Sequence, residues 1–246
     1  FIFKPAIAWN SLSSSKFSAV FCENGFLYDQ ASNFFSSNER DINKYILGLL
    51  NSKIGDFYLS LLAPTLNFVP SNIGNVPVIM TNTMTIVVNI VDELLKISNE
   101  DWNSYEFSWE FKKHPLLKYN TTLLENSFEK WDIETSTRFF KLKESEEKLN
   151  SLLIELYELD DELTAKVDEN AIKLIRANKE TDSRTFLSYF IGCVLGRFSL
   201  DVEGIAFAGG EFNASKYKSF KPNPDGLILL TEEHYFENDI IVRLRE

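Results

Sequence analysis

Apolar residues fall at Ile42, Tyr45, Ile46, Leu49, Leu50, Ile54, Phe57, Tyr58, Leu61 and Leu62. Steps of three and four put them on one helical face, which predicts a helix over 38–63 stopped by Pro64. Ile86, Val87, Ile90, Val91, Leu94 and Leu95 predict a second helix over 82–97. A third and longer one is expected over 127–159, where Phe128, Trp131, Thr135, Phe139, Leu142, Leu149, Leu152, Leu153 and Leu156 approach a heptad spacing. Its other face carries Glu144, Glu146, Glu147, Glu155 and Glu158, which reads as a solvated surface. A fourth helix is expected from a cap at Asp182 through Phe198. In it Gly192 and Gly196 stand one turn apart and permit close approach of another element.

The segment ahead of the first helix has a different period. Residues 5–36 read as β-rich, with Phe17 to Phe21 and Phe26 to Tyr28 flanking Asn24-Gly25 as a hairpin. The polar run 10–16 reads as a loop before it, and Pro70, Asn72, Gly74 and Pro77 mark turns after the first helix. Residues 199–246 read as mixed loop and short strand. Together these give an α+β class: a small mixed sheet with a helix packed on it, a mostly helical spacer and a mixed C-terminal segment. The expected divisions are 1–98, 99–165 and 166–246.

Composition narrows the class. The 246 residues are 44% hydrophobic and 14% aromatic, enough for a substantial core. The longest apolar-rich stretch, 186–198, contains Arg197 and falls short of the roughly 20 residues of a membrane span. No membrane association and a cytoplasmic location are expected. Two cysteines, Cys22 and Cys193, make no disulfide framework. The net charge of −11 argues against nucleic acid as a whole-chain partner. That charge is unevenly placed: residues 1–80 hold five basic and five acidic side chains, so the excess lies in 81–246. A DNA-facing surface is therefore expected in the first third. The chain opens on Phe1-Ile2-Phe3 and reads as a piece of a longer protein.

Catalytic chemistry is sparse. His114 and His234 have no ligand partner at helical spacing and read as structural, so no metal site is expected. Neither a nucleophile elbow nor a phosphate loop occurs. Asp201, Glu203, Glu237 and Asp239 could be imagined as a carboxylate cluster for metal-assisted hydrolysis, but surface or capping roles explain them better.

The segment Tyr45-Ile-Leu-Gly-Leu-Leu-Asn-Ser-Lys-Ile-Gly-Asp-Phe-Tyr58, followed by Thr65-Leu-Asn-Phe68 and Ile73-Gly-Asn-Val-Pro77, carries a further signal. It resembles the signature of target-recognition domains in type I restriction specificity subunits and fused type IIG methyltransferases. Three later segments are similar to the adenine-specific DNA methyltransferase family of bacteriophage-exclusion (BREX) systems. They are Asp101-Trp-Asn-Ser-Tyr-Glu-Phe-Ser-Trp-Glu-Phe-Lys-Lys-His-Pro-Leu116, the pair Glu146 to Asn150 and Ile154 to Leu159, and Ser188 to Gly210. The resemblance runs in order over nearly the whole chain. It implies a DNA target-recognition portion of an S-adenosylmethionine-dependent N6-adenine methyltransferase, with double-stranded DNA, an upstream methyltransferase domain of the same chain and other phage-exclusion proteins as partners. Such enzymes use a glycine cofactor motif and Asn-Pro-Pro-Tyr. The seven prolines here include no Pro-Pro pair, so no catalytic or cofactor-binding residue is expected in this piece. A protein-interaction scaffold docking other exclusion components is the alternative.

Candidate DNA contacts are Ser13, Ser14, Ser15 and Lys16 in the polar loop, Asn51 and Lys53 off the apolar stripe of the first helix, and Asn67 after it. Small polar side chains and cations of this kind donate to phosphates and base edges.

Overall fold

The computed structural model describes residues 3–13, 16–29, 31–231 and 235–245. The fold is α+β, as expected. Strands β1 (Ala6–Asn10), β2 (Val20–Cys22) and β3 (Ser32–Phe35) form one antiparallel sheet in the order β2-β1-β3. Helices α1 (Arg40–Leu50), α2 (Lys53–Leu62), α3 (Pro70–Ile73), α4 (Met84–Trp102), α5 (Leu124–Leu156), α6 (Lys179–Val194) and α7 (Ile240–Arg245) follow. Among the described residues no helix is long and apolar enough to cross a membrane.

The chain divides into two compact units, each entered twice. The first is Phe1–Ser98 with Phe139–Lys173, and the second is Asn99–Arg138 with Leu174–Glu246. Residues 99–165 are thus shared between the two. The first unit takes 84–98 of α4 and 139–156 of α5.

In the first unit the strands do not pair as the hairpin reading requires. Asn24 and Gly25 do turn, with Gly25 at φ +99°, but β2 and β3 both pair with β1. The cause is burial. Ala6, Ile7, Ala8 and Trp9 are buried on both faces of β1, so β1 takes the centre. Phe26 and Leu27 remain exposed, and a strand there has no face to bury.

The expected 38–63 helix is likewise two helices. Its apolar stripe is continuous, yet Ser52 breaks it by accepting from the N–H groups of Ile54 and Gly55, the N-cap geometry of α2. Gly55 is required at that corner. A Cβ there meets the Leu50 and Leu49 carbonyl oxygens at 2.3 and 2.6 Å. Gly48 sits at the contact of α1 with α4, where a Cβ lies 2.6 Å from Val91 Cγ2. Around this corner Ile7, Tyr45, Leu49, Ile54, Val87 and Leu153 form a core with almost no exposure. The segment Pro77 to Ile79, which follows the Ile73 turn, is pinned to this core by two tyrosine hydroxyls, Tyr45 donating to the Ile79 carbonyl and Tyr157 to the Pro77 carbonyl, each at 2.6 Å.

The long α5 forms where the heptad pattern places it. Of the acids read as its solvated face, Glu144, Glu155 and Glu158 are exposed as expected, whereas Glu146 and Glu147 are half-buried. Burial raises the Glu146 carboxyl, with Lys53 the nearby cation, and Glu147 accepts the Val167 N–H at 3.0 Å.

In the second unit α6 begins three residues before Asp182. Asn178 caps it by accepting from Thr181 N–H, while Asp182 accepts from the Asn178 N–H at 2.8 Å. The helix stops at Gly196, φ +79°, after which the Arg197 N–H returns to the Gly192 carbonyl at 2.8 Å. Gly192 admits the ring of Phe198, which follows the helix, a Cβ there lying 2.5 Å from Phe198 Cδ2, and Gly196 lies against Pro222, whose Cβ a Cβ there would meet at 3.3 Å. Phe198 stacks on Tyr189 at 4.9 Å, and Phe111 meets both rings edge-on.

Candidate nucleic-acid interface

At the end of β1 the chain leaves the sheet at the exposed Asn10 and immediately pairs with distant backbone. The Ser11 N–H donates to the Ala31 carbonyl at 2.9 Å, the Ser13 N–H to the Leu66 carbonyl at 3.1 Å, and the Phe68 N–H to the Ser11 carbonyl at 2.8 Å. Leu12 and Asn67 form an antiparallel bridge. Three separate loops, around residues 10–13, 29–33 and 65–68, are thereby joined at one edge of the first unit.

Side chains lock the junction from beneath. The Trp9 indole N–H donates to the Phe68 carbonyl at 2.8 Å, and the Asn33 amide donates to Ser11 Oγ at 2.8 Å. The Asp29 carboxylate accepts from the Ala31 and Ser32 N–H groups at the start of β3. The loops thus rest on a rigid apolar base of Trp9, Phe17 and Phe68, while Asn10, Leu12, Thr65, Leu66 and Asn67 face solvent. Polar groups and exposed aliphatic side chains side by side suit base edges and thymine methyl groups.

Ser13, Lys16 and Asn67 are brought together here. The Ser13 hydroxyl donates to the Lys16 carbonyl at 3.4 Å. The Lys16 ammonium pairs with Asp56 of α2 at 2.6 Å, with its side chain 72% exposed. Ser14 and Ser15 lie outside the described residues. Asn51 and Lys53 have a different setting, at the α1–α2 corner. The Asn51 amide accepts from the Ala19 N–H at 2.8 Å and donates to its carbonyl at 2.9 Å. Although off the apolar stripe, it therefore works within the fold. The Lys53 N–H donates to Asn150 Oδ1 at 2.9 Å. The Asn-Ser-Lys-Ile-Gly run is thus the joint that carries the loops: a clamp on the chain after Lys16, a cap, a tie to α5 and a close backbone approach. The sequence reading missed Asn33, whose role depends on a strand pairing that no local pattern reveals.

The acids imagined as a metal cluster serve elsewhere. Asp201 accepts from Lys218, Ser219 and the Ser219 hydroxyl, Glu203 pairs with Lys112 at 3.0 Å, and Asp239 holds Thr231. Among the described residues no group of three His, Cys, Asp or Glu could hold a metal ion. The described residues do not fit S-adenosylmethionine either. The strands are antiparallel, and the β3–α1 connection, Ser36 to Glu39, has no glycine to admit a nucleotide to a helix N-terminus.

No family model matches the chain. It is homologous to a segment of adenine-specific methyltransferases. Over 253 residues, all of this chain and 21% of the relative, it is 40% identical to the adenine-specific methyltransferase PglX of Lacticaseibacillus casei (strain Zhang). Over 268 residues, 99% of this chain and 22% of the relative, it is 30% identical to the adenine-specific methyltransferase BrxX of Escherichia coli O9:H4 (strain HS). The chain spans about a fifth of the length of these curated relatives.

Proposed function

We propose that this chain is the DNA sequence-recognition portion of an S-adenosylmethionine-dependent N6-adenine methyltransferase acting in phage defence in the cytoplasm. The observation that carries this reading is the match of the whole chain to PglX and BrxX. Methyl transfer and cofactor binding fall to a methyltransferase domain outside these residues, and other phage-exclusion proteins are further partners. The enzyme flips an adenine out of the duplex to reach its exocyclic nitrogen, and this portion selects which adenine.

In this reading the 10–16 loop, joined through residues 11–13 to the 65–68 loop, enters the major groove with it. Asn67 and the serines of 10–16 meet base edges and Lys16 meets a phosphate, exchanging its contact with Asp56 for one with the backbone. Lys53 serves a flanking phosphate, whereas Asn51, held by Ala19, supports the loop that carries Lys16.

The contact at Lys16 is tested by duplex binding across a salt series. Lys16→Ala is expected to weaken binding to all sequences alike and to shallow the salt dependence by about one unit of slope. Unchanged affinity and slope remove Lys16 from the interface.

A further inference from the structure

In the second unit, residues 212–223 carry Lys216, Lys218 and Lys221 and no acid, in a chain of net charge −11. The segment that presents these lysines is tied down by hydrogen bonds along its length. The Asp201 carboxylate accepts from the Lys218 N–H at 2.7 Å, the Ser219 N–H at 2.9 Å and the Ser219 hydroxyl at 2.6 Å. The Ser199 hydroxyl donates to the Lys216 carbonyl at 2.6 Å, and the Tyr217 hydroxyl donates to the Gly196 carbonyl. Arg243 of α7 closes the far end, donating to the Lys221 carbonyl with its guanidinium 4.2 Å from the Phe220 ring centroid.

This scaffolding decides which charges remain for a ligand. Asp201 keeps its negative charge, its carboxyl held below the usual range by the Ser219 hydroxyl and N–H, the Lys218 N–H and the Lys218 charge, so it offsets part of the positive charge here. Lys216 donates to the Ala206 carbonyl at 2.8 Å. Lys218 and Lys221 stay exposed, Lys218 with Asp201 within electrostatic reach. A rigid loop that presents two ammonium groups suits a ligand with regularly spaced single negative charges. Lysine is a point charge without the planar fork that reads a base edge, and the Ser219 hydroxyl is already committed to Asp201.

We propose that the 216–221 loop is a second DNA-contacting surface, on which Lys218 and Lys221 bind the phosphodiester backbone of double-stranded DNA without reading its sequence. The choice of DNA rests on the function proposed above; the charge geometry is independent of it. The surface supplies an affinity that the charge-neutral first 80 residues lack.

The test is binding of the full chain to duplex DNA of two unrelated sequences across a salt series, for wild type, Lys218→Ala/Lys221→Ala and Lys218→Arg/Lys221→Arg. The alanine pair is expected to lower affinity for both duplexes alike and to shallow the slope by about 1.8, at about 0.9 per phosphate. The arginine pair is expected to keep the wild-type slope. Wild-type binding with an unchanged alanine pair overturns this surface and leaves the recognition role standing. Absence of duplex binding by wild type at low salt overturns both. A lysine-dependent preference for single-stranded RNA over duplex overturns the assignment of the ligand.

Discussion

Replacing Arg138 with Met is expected to destabilise the second unit by about 3–5 kcal/mol, the usual cost of stranding a buried charge. Arg138 is nearly sealed from solvent, its side chain 9% exposed, between Asp101 at 3.5 Å and Glu134 at 2.9 Å. Its guanidinium also lies over the ring of the buried Trp131. Glu134 keeps Lys118 and the Tyr119 hydroxyl when Arg138 is removed. Asp101 keeps only the Ile175 N–H, at 3.4 Å. Burial already raises its carboxyl, and the loss of the cation raises it further. Keeping the carboxyl neutral then becomes costlier as pH rises above its unfolded value, so the difference between variant and wild type should shrink in acid, where Asp101 protonates in both states. Hydrogen exchange at the α6 amides, measured from pH 5 to 8, checks both the size and the trend. Asp101→Asn added to Arg138→Met should recover much of the loss. A penalty under about 1 kcal/mol, or one independent of pH, contradicts a buried uncompensated carboxylate.

Acid should weaken the same unit through His114. The ring is buried. Its Nδ1 accepts from the Leu116 N–H at 3.3 Å, its Nε2 lies 3.1 Å from Thr185 Oγ1, and Phe186 meets its face edge-on. Burial lowers its pKa from 6.5 to about 4. The unfolded ring therefore takes up a proton near pH 6.5 and the folded ring only near pH 4. Stability that is complete above pH 6.5 is lost as pH falls through this window, on the order of 3 kcal/mol in all. His114→Asn keeps an acceptor for Leu116 but does not titrate. Urea unfolding at pH 7 and pH 4.5 should show a smaller acid loss for this variant than for wild type. Equal losses in the two proteins contradict the assignment.

The helices were legible because burial repeats at the helical period: Tyr45, Leu49 and Leu50 of α1, Val87, Ile90 and Val91 of α4, and Leu149 and Leu153 of α5 are residues of one core. The breaks were less visible, because they depend on polar atoms and not on the stripe. Leu50 and Ile54 continue the period across Ser52, whose hydroxyl caps α2, and Asn178 rather than Asp182 starts α6. Strand order was illegible for another reason. Asn24-Gly25 is a local signal, whereas the partners of β1 are chosen by its two-sided burial. The candidate interface shows the same division. The polar loop and Asn67 can be picked out from composition, but their meeting requires Ser13 to pair with Leu66 across 53 positions. The lysines of 216–221 were passed over because their presentation depends on Asp201 and Arg243, residues remote in sequence.

The central claim is that this chain chooses the methylated site. The direct measurement is the genome-wide methylation pattern of cells carrying a methyltransferase that contains this chain, before and after residues 10–80 are exchanged for the corresponding segment of a relative with a different target. The expected result is that adenine methylation persists and moves to a different sequence. Methylation that persists at the original sequence after the exchange contradicts the claim.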